Sequence, residues 1–277
     1  MKELYNFISY KHSEIITKKY STSFSIAISF LSKSIRKHIY AIYGLVRIAD
    51  EIVDTMLDVD RFIWLKELQE QTYKALESKF STNPILNAFQ LTANRFSIGS
   101  ELIEPFFNSM YIDLKKNKHD EHSYKQYIYG SAEVIGLMCL KIFVNGDEKL
   151  YKELEEHARA LGSAFQKVNF LRDIKNDFKI LNRTYFPDVD LTNLTEDDKI
   201  KIINDIKADF KKAWIGIIKL PRRARIGVMV AYEYYLALLN KIKKSPVDQI
   251  LKQRIRINNF YKIILLLKIL FKSLFIK

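Results

Sequence analysis

One cysteine, eight glycines, five prolines and two tryptophans are few for a chain of 277 residues. The lone Cys139 excludes an intramolecular disulfide, so nothing in the chain calls for an oxidising compartment. Scarce Gly and Pro leave little turn signal, while abundant Leu, Ile, Lys, Glu and Ala favour helix. No run of 18 apolar residues is free of charge, so no membrane-spanning helix is expected. The first residues, MKELYNFISYKHSEIITKKYSTSF, space their charges too closely for a signal-peptide core, and the expected location is cytoplasmic. Two things are plentiful. Hydrophobic residues make up 48%, which excludes a disordered chain. Basic residues outnumber acidic ones 45 to 32, a net +13 that suits nucleic acid, anionic lipid or phosphate-bearing substrates without choosing among them.

Apolar residues recur at helical spacing over almost the whole chain. The pattern predicts helices at 4–16, 21–32, 36–57, 62–79, 84–96, 100–118, 123–144, 148–181, 196–218, 222–244 and 247–273. Pro84, Pro105, Pro221 and Pro246 fall where helices are expected to begin, since the first turn tolerates the missing N–H. The clearest loop is 182–193. With no repeat or composition break, the expectation is one all-α domain over 1–277.

Two of these helices carry polar stripes between apolar walls. In RKHIYAIYGLVRIADEIVD (36–54), Tyr43, Arg47, Asp50 and Asp54 step by four, three and four, so they share a face. In LGSAFQKVNFLRDIKNDF (161–178), Gln166, Asn169, Asp173 and Asp177 step by three, four and four. Helices this apolar belong inside the protein, where carboxylates at i,i+4 repel and need cations. Mg²⁺ is the natural candidate, because it is held by one or two carboxylates plus substrate phosphates. Asn169 would add an amide oxygen, and Arg47 and Arg172 would meet phosphate directly. The spacing alone is unspecific: Asp54/Asp58 and Asp205/Asp209 share it, and the latter pair reads as an ordinary solvated face. His119 and His122 read as a polar helix boundary rather than a zinc site, and Cys139 as a small core residue.

On these residues the chain resembles the squalene/phytoene synthase family. The matching stretches are YSTSF (20–24), YAIYGLVRIADEIVD (40–54), YIYGSAEVIGLM (127–138) and QKVNFLRDIKNDFKILNRTYFP (166–187), in the family's order. Departures are Glu51, where a second Asp is common in the motif, and Asn176, where an acid is frequent, neither of them on a stripe. The resemblance implies an isoprenoid synthase fold, with helices around a central active-site cavity. It implies Mg²⁺ (Mn²⁺ as the alternative) on Asp50, Asp54, Asn169, Asp173 and Asp177. Diphosphate contacts or shaping of the site would fall to Ser21, Thr22, Ser23, Tyr43, Arg47, Gln166, Arg172, Tyr235 and Arg254. The implied catalytic set is Asp50, Asp54, Asp173, Asp177, Arg47 and Tyr43. The implied activity is that of a phytoene synthase of carotenoid biosynthesis, joining two geranylgeranyl diphosphates head to head. That reaction runs through a cyclopropylcarbinyl diphosphate and releases diphosphate, and the chain contains no GxG to suggest a nucleotide-binding fingerprint for NADPH. Dehydrosqualene or squalene synthesis from two farnesyl diphosphates is the alternative. Phe24 and Phe165 are candidates for cation–π contact with a carbocation, although packing is the favoured reading for each.

The C-terminal segment FYKIILLLKILFKSLFIK (260–277) is a basic amphipathic helix. Two readings stand open: a peripheral membrane contact on the inner face, or a terminal helix packed on the domain with snorkelling lysines. A non-catalytic scaffold of the same fold is the rival from another class, and it would be expected to lose the aspartates that this chain keeps. A nucleic-acid binder would concentrate its cations on a recognition helix, and here they are spread.

Overall fold

The computed structural model describes residues 1–115, 118–179, 183–187 and 189–273. Among them there is no β-strand, only a single bridge between Lys118 and Thr184. The helices are α1 (Lys2–Tyr20), α2 (Thr22–Ser29), α3 (Lys33–Asp54), α4 (Arg61–Ser78), α5 (Pro84–Phe96), α6 (Ser100–Lys115) and α7 (Glu121–Ile128). A π-turn (Tyr129–Glu133) leads into α8 (Val134–Val144) and α9 (Glu148–Lys179). After a short 3₁₀ turn (Leu191–Asn193) come α10 (Glu196–Ile217), α11 (Arg222–Lys244), α12 (Val247–Lys252) and α13 (Asn259–Ser273). The fold is all-α, as the periodicity predicts.

Local chemistry sets the helix ends. Reciprocal capping boxes open α7 (Asp120 with Ser123) and α10 (Thr195 with Asp198), and Asn83 caps α5 with Pro84 in its first turn. Ser21 is a two-way joint. Its N–H closes α1 on the Thr17 carbonyl, and its side chain accepts from the Phe24 N–H at 3.2 Å to start α2. That joint aims Phe24 at the interior and leaves Tyr20 half exposed.

α3 and α9 flank the centre. α3 buries Ile35, Ile39, Ile42, Leu45, Ala49 and Val53, and α9 buries Ala164, Val168, Phe170 and Leu171, all in one contiguous hydrophobic cluster. Lys167, on the back of α9, is buried and held by Asp205 (2.6 Å) and Asp209 (2.8 Å) of α10. Asp205 stays 60% exposed, as the solvated reading expects, and Asp209 is 22% exposed; what that reading lacked is the cation they share. Their partner lies on another helix, invisible to spacing along α10.

Two further expectations change. Pro105 lies inside α6 rather than at its start, because α6 begins a turn earlier at Ser100. The π-turn faces it: a Cβ on Gly130 would stand 2.2 Å from the Pro105 carbonyl oxygen, so only glycine lets these backbones touch. The single helix expected over 247–273 is two, because Arg254-Ile255-Arg256 alternates like extended chain, with Ile255 buried and both arginines exposed. Over the described residues α6 reaches Lys115 and α9 reaches Lys179; residues 116, 117, 180 and 181, over which those helices were expected to continue, lie outside the described set. Among the described residues, Glu121–Val144 has the length and hydropathy to cross a membrane, but 61% of that window is buried and it lines the interior.

Candidate active site

A cavity of about 500 Å³ lies between α2, α3, α8, α9 and α11. It is polar at one end and apolar at the other. Tyr43, Arg47, Asp50 and Asp54 line it from α3, and Gln166, Asn169, Arg172, Asp173 and Asp177 from α9, with Tyr235 from α11 and Arg254 from the 253–258 segment. Both predicted stripes therefore meet in one space. Of the Ser21–Ser23 set, Ser21 lines the cavity, whereas Thr22 is exposed and Ser23 turns with α2 away from the lining face.

Each wall balances one carboxylate and leaves another in deficit. On α3, Asp54 accepts from Arg183 Nη1 at 2.7 Å. Asp50 has no ion pair among the described residues, and burial, reinforced by the Asp54 charge, pushes its carboxyl up to about 8. On α9, Asp173 is held by Arg172 (Nε at 3.1 Å) and by Arg254 (Nε at 2.7 Å). Asp177 is pushed up to about 8 by burial and by the Asp173 and Asp54 charges. Tyr235 donates to Asn169 Oδ1 at 3.3 Å, and Asn169 Nδ2 donates to Gln166 Oε1 at 3.4 Å, which keeps that face of α9 in register.

Arg47 is held on both sides. Its guanidinium lies 4.2 Å from the Tyr20 ring centre and pairs with Glu51 one turn on, while its Nε is buried without a partner. Glu51, off the stripe, thus touches the site through Arg47.

Sequence reasoning missed the floor. Asp113 of α6 accepts from Tyr127 at 2.6 Å and Tyr185 at 3.3 Å, with Arg183 Nη1 at 3.7 Å. Burial raises its carboxyl to about 6 against the pull of Arg183 and Tyr127. Arg183 therefore bridges Asp54 and Asp113, and Tyr185 stacks on Phe170 at 4.0 Å. Arg183 and Tyr185 sit in the RTYFP string, the signal that could have placed them. Asp113 has no helical companion and gave none. His119 is buried against the Tyr127 and Tyr185 rings while His122 is exposed, so the pair does not converge.

Phe24, Phe165 and Tyr235 form an aromatic band below the charges, with Phe165 and Tyr235 stacked at 4.1 Å and Phe24 at 5.6 Å from Tyr235. Beyond it the lining is Leu31, Ile135, Cys139, Phe143, Leu154 and Leu220. No three His, Cys, Asp or Glu among the described residues form a ready cluster for a metal. The donors are instead carboxylate pairs on two walls, an all-oxygen set with surplus negative charge. Such a set fits a hard dication that shares its shell with phosphate and water.

A family model described as squalene/phytoene synthase matches residues 17–261. The chain belongs to the squalene/phytoene synthase family. Within this family it is 25% identical over 275 residues to a 4,4'-diapophytoene synthase of Staphylococcus haemolyticus (strain JCSC1435), covering 92% of this chain and 93% of that one. It is 26% identical over 266 residues to a phytoene synthase of Arthrospira platensis, covering 87% and 85%. A crystal structure of a dehydrosqualene synthase with ligand superposes at TM-score 0.83 and 20% identity, over 97% of this chain and 98% of that one. A squalene synthase of Alicyclobacillus acidocaldarius superposes at TM-score 0.73 and 21% identity, over 85% and 93%. The fold is that of the isoprenoid synthases.

Proposed function

We propose that this transferase condenses two geranylgeranyl diphosphates head to head into phytoene through a cyclopropylcarbinyl diphosphate. The observation that carries the reading is the meeting of two aspartate stripes above a deep apolar cavity, with Asp50 and Asp177 both short of positive charge. Mg²⁺, with Mn²⁺ as the alternative, would be held by Asp50, Asp54, Asp173, Asp177 and the Asn169 amide, and would neutralise the departing diphosphate.

The chain's own groups do the rest. Arg47, Arg172 and Arg254 bind diphosphate oxygens, which requires their present carboxylate partners to give way. Ser21 and Tyr43 shape that end of the cavity, and Gln166 with Tyr235 fixes Asn169. The aromatic band faces the allylic carbon where positive charge develops, and the apolar end holds the prenyl chains and excludes water. The reaction then ends in proton loss, without NADPH.

Purified protein with Mg²⁺ and either geranylgeranyl or farnesyl diphosphate, with and without NADPH, tests this by product mass. Phytoene without NADPH is the expected result. Dehydrosqualene would keep the mechanism and move the substrate, in line with the relative of that name. Squalene formed only with NADPH would move the reading to the reductive branch. No hydrocarbon from either substrate by folded protein would favour a scaffold.

A further inference from the structure

The apolar end of the cavity is closed by connections rather than by helix faces. α9 lines the cavity from Asp177 back to Leu154, a run of about 35 Å at 1.5 Å per residue. Where that run ends, Leu31, Phe143 and Leu220 complete the lining. Leu31 follows α2, Phe143 lies in the last turn of α8, and Leu220 lies between α10 and α11. Segments of this kind are ordinarily the yielding parts of a helical domain.

Each of the three is pinned through its carbonyl by an arginine. Arg36 Nε donates to the Leu31 oxygen at 2.7 Å, and Arg225 Nε to the Leu220 oxygen at 2.9 Å. Arg223 gives the Phe143 oxygen two bonds, from Nε at 3.0 Å and from Nη2 at 2.7 Å. Carbonyls at helix ends lack intrahelical partners, and a charged guanidinium holds them more strongly than a neutral donor does. The donors stand on one frame: the Ser32 N–H, just before α3, donates at 2.8 Å to the Arg223 carbonyl at the start of α11. Leu31 is also closed in from the side, since a Cβ on Gly227 of α11 would stand 2.4 Å from its Cδ2. Arginines that only capped helices could sit at any helix end. Here all three carbonyls belong to cavity-lining residues, and all three donors to the first four residues of α3 or α11.

We propose that Arg36, Arg223 and Arg225 are positioning residues for chain length, holding the floor of the cavity at a fixed depth through the backbone of Leu31, Phe143 and Leu220. None of the three arginines lines the cavity, so they act on specificity without touching substrate. Released from its clamp, the floor yields and admits a longer chain. That a prenyl chain occupies this space rests on the function proposed above.

The test is binding of farnesyl, geranylgeranyl and geranylfarnesyl thiolodiphosphates to the full chain with Mg²⁺. The wild type is expected to bind one length best and the next longer one far more weakly. R223M, which keeps the aliphatic stem and loses the donors, should reduce that discrimination about tenfold, with the best length bound within about twofold of wild type. R36M and R225M, each removing one bond, should reduce it less, and R223K should fall between R223M and wild type. R222M, at an exposed neighbour, should leave it unchanged. If R223M does not fold, R36M, R225M and R223K read the same ratio. Variants that melt earlier and bind every length more weakly by one factor would overturn the proposal, because the arginines would then be helix caps alone. So would wild type that binds all three lengths equally, or none. Clamp-dependent discrimination without hydrocarbon synthesis would sink the functional reading alone, and synthesis with discrimination indifferent to the clamps would sink the clamps alone.

Discussion

On α3 the aspartate nearer the C-terminal end, Asp54, is the one in an ion pair, whereas on α9 it is the inner one, Asp173, that has arginine partners. The aspartates in deficit are therefore Asp50, deep on one wall, and Asp177, near the end of the other. The balancing cations also differ in origin. Asp54 draws on Arg183, which is buried and shared with Asp113, so it belongs to the frame of the site. Asp173 draws on Arg254, a half-exposed residue from a segment outside the bundle. One wall is fixed from within, and the other is finished by a part free to respond to substrate.

Removing a deficit should have the largest effect. Asp50→Asn or Asp177→Asn is expected to lower kcat/KM by about 10²- to 10⁴-fold while raising metal-free stability by about 1–3 kcal/mol, because the amide, unlike the buried carboxyl, need not take up a proton on folding at neutral pH. Product assays and thermal melts on the same preparations check both directions. A variant that loses activity and stability together would mean these carboxylates are structural.

The next effect is on pH. Both carboxyls titrate near 8 in the fold against 3.8 as the ordinary aspartate value, so the folded state binds more protons than the unfolded one across that interval. Stability without metal should then fall as pH rises from about 4 to about 8, and is fully present only below that window. Mg²⁺ should restore it at the upper end, by thermal melts. A flat metal-free profile would remove the difference between balanced and unbalanced aspartates.

Smaller effects separate the walls by their arginines. Arg254→Ala should cost about tenfold in kcat/KM with little change in melting temperature, as expected of a half-exposed pair. Glu51→Gln frees Arg47 from a competing carboxylate and should lower KM for the prenyl diphosphate about two- to fivefold with kcat unchanged. A raised KM would make Glu51 a support for Arg47 rather than a competitor.

The stripes were legible because a helix repeats its faces within the chain's own spacing. Their partners were not. Arg183 lies 129 positions from Asp54, and Arg254 lies 81 from Asp173. Asp113 had no second acid at i±3 or i±4 to mark it. Asp205 and Asp209 were read from their own helix, which is Lys-rich, while the cation they hold is on α9. The break between α12 and α13 was hidden because Ile255 in an alternating stretch can also be fitted to a helical period. Residues that act within one helix announce themselves, and those that act between helices wait for the fold.

The π-turn at Tyr129–Glu133 gives the cavity a phase as well as a wall. Its wider turn holds one more residue than an α-turn would, and a helix advances about 100° per residue. Deleting one residue there would swing Ile135, Gly136 and Cys139 away from the prenyl space and bring their neighbours round to face it. The lining of the apolar end is thus set by a count of residues ahead of α8 as much as by the side chains on it.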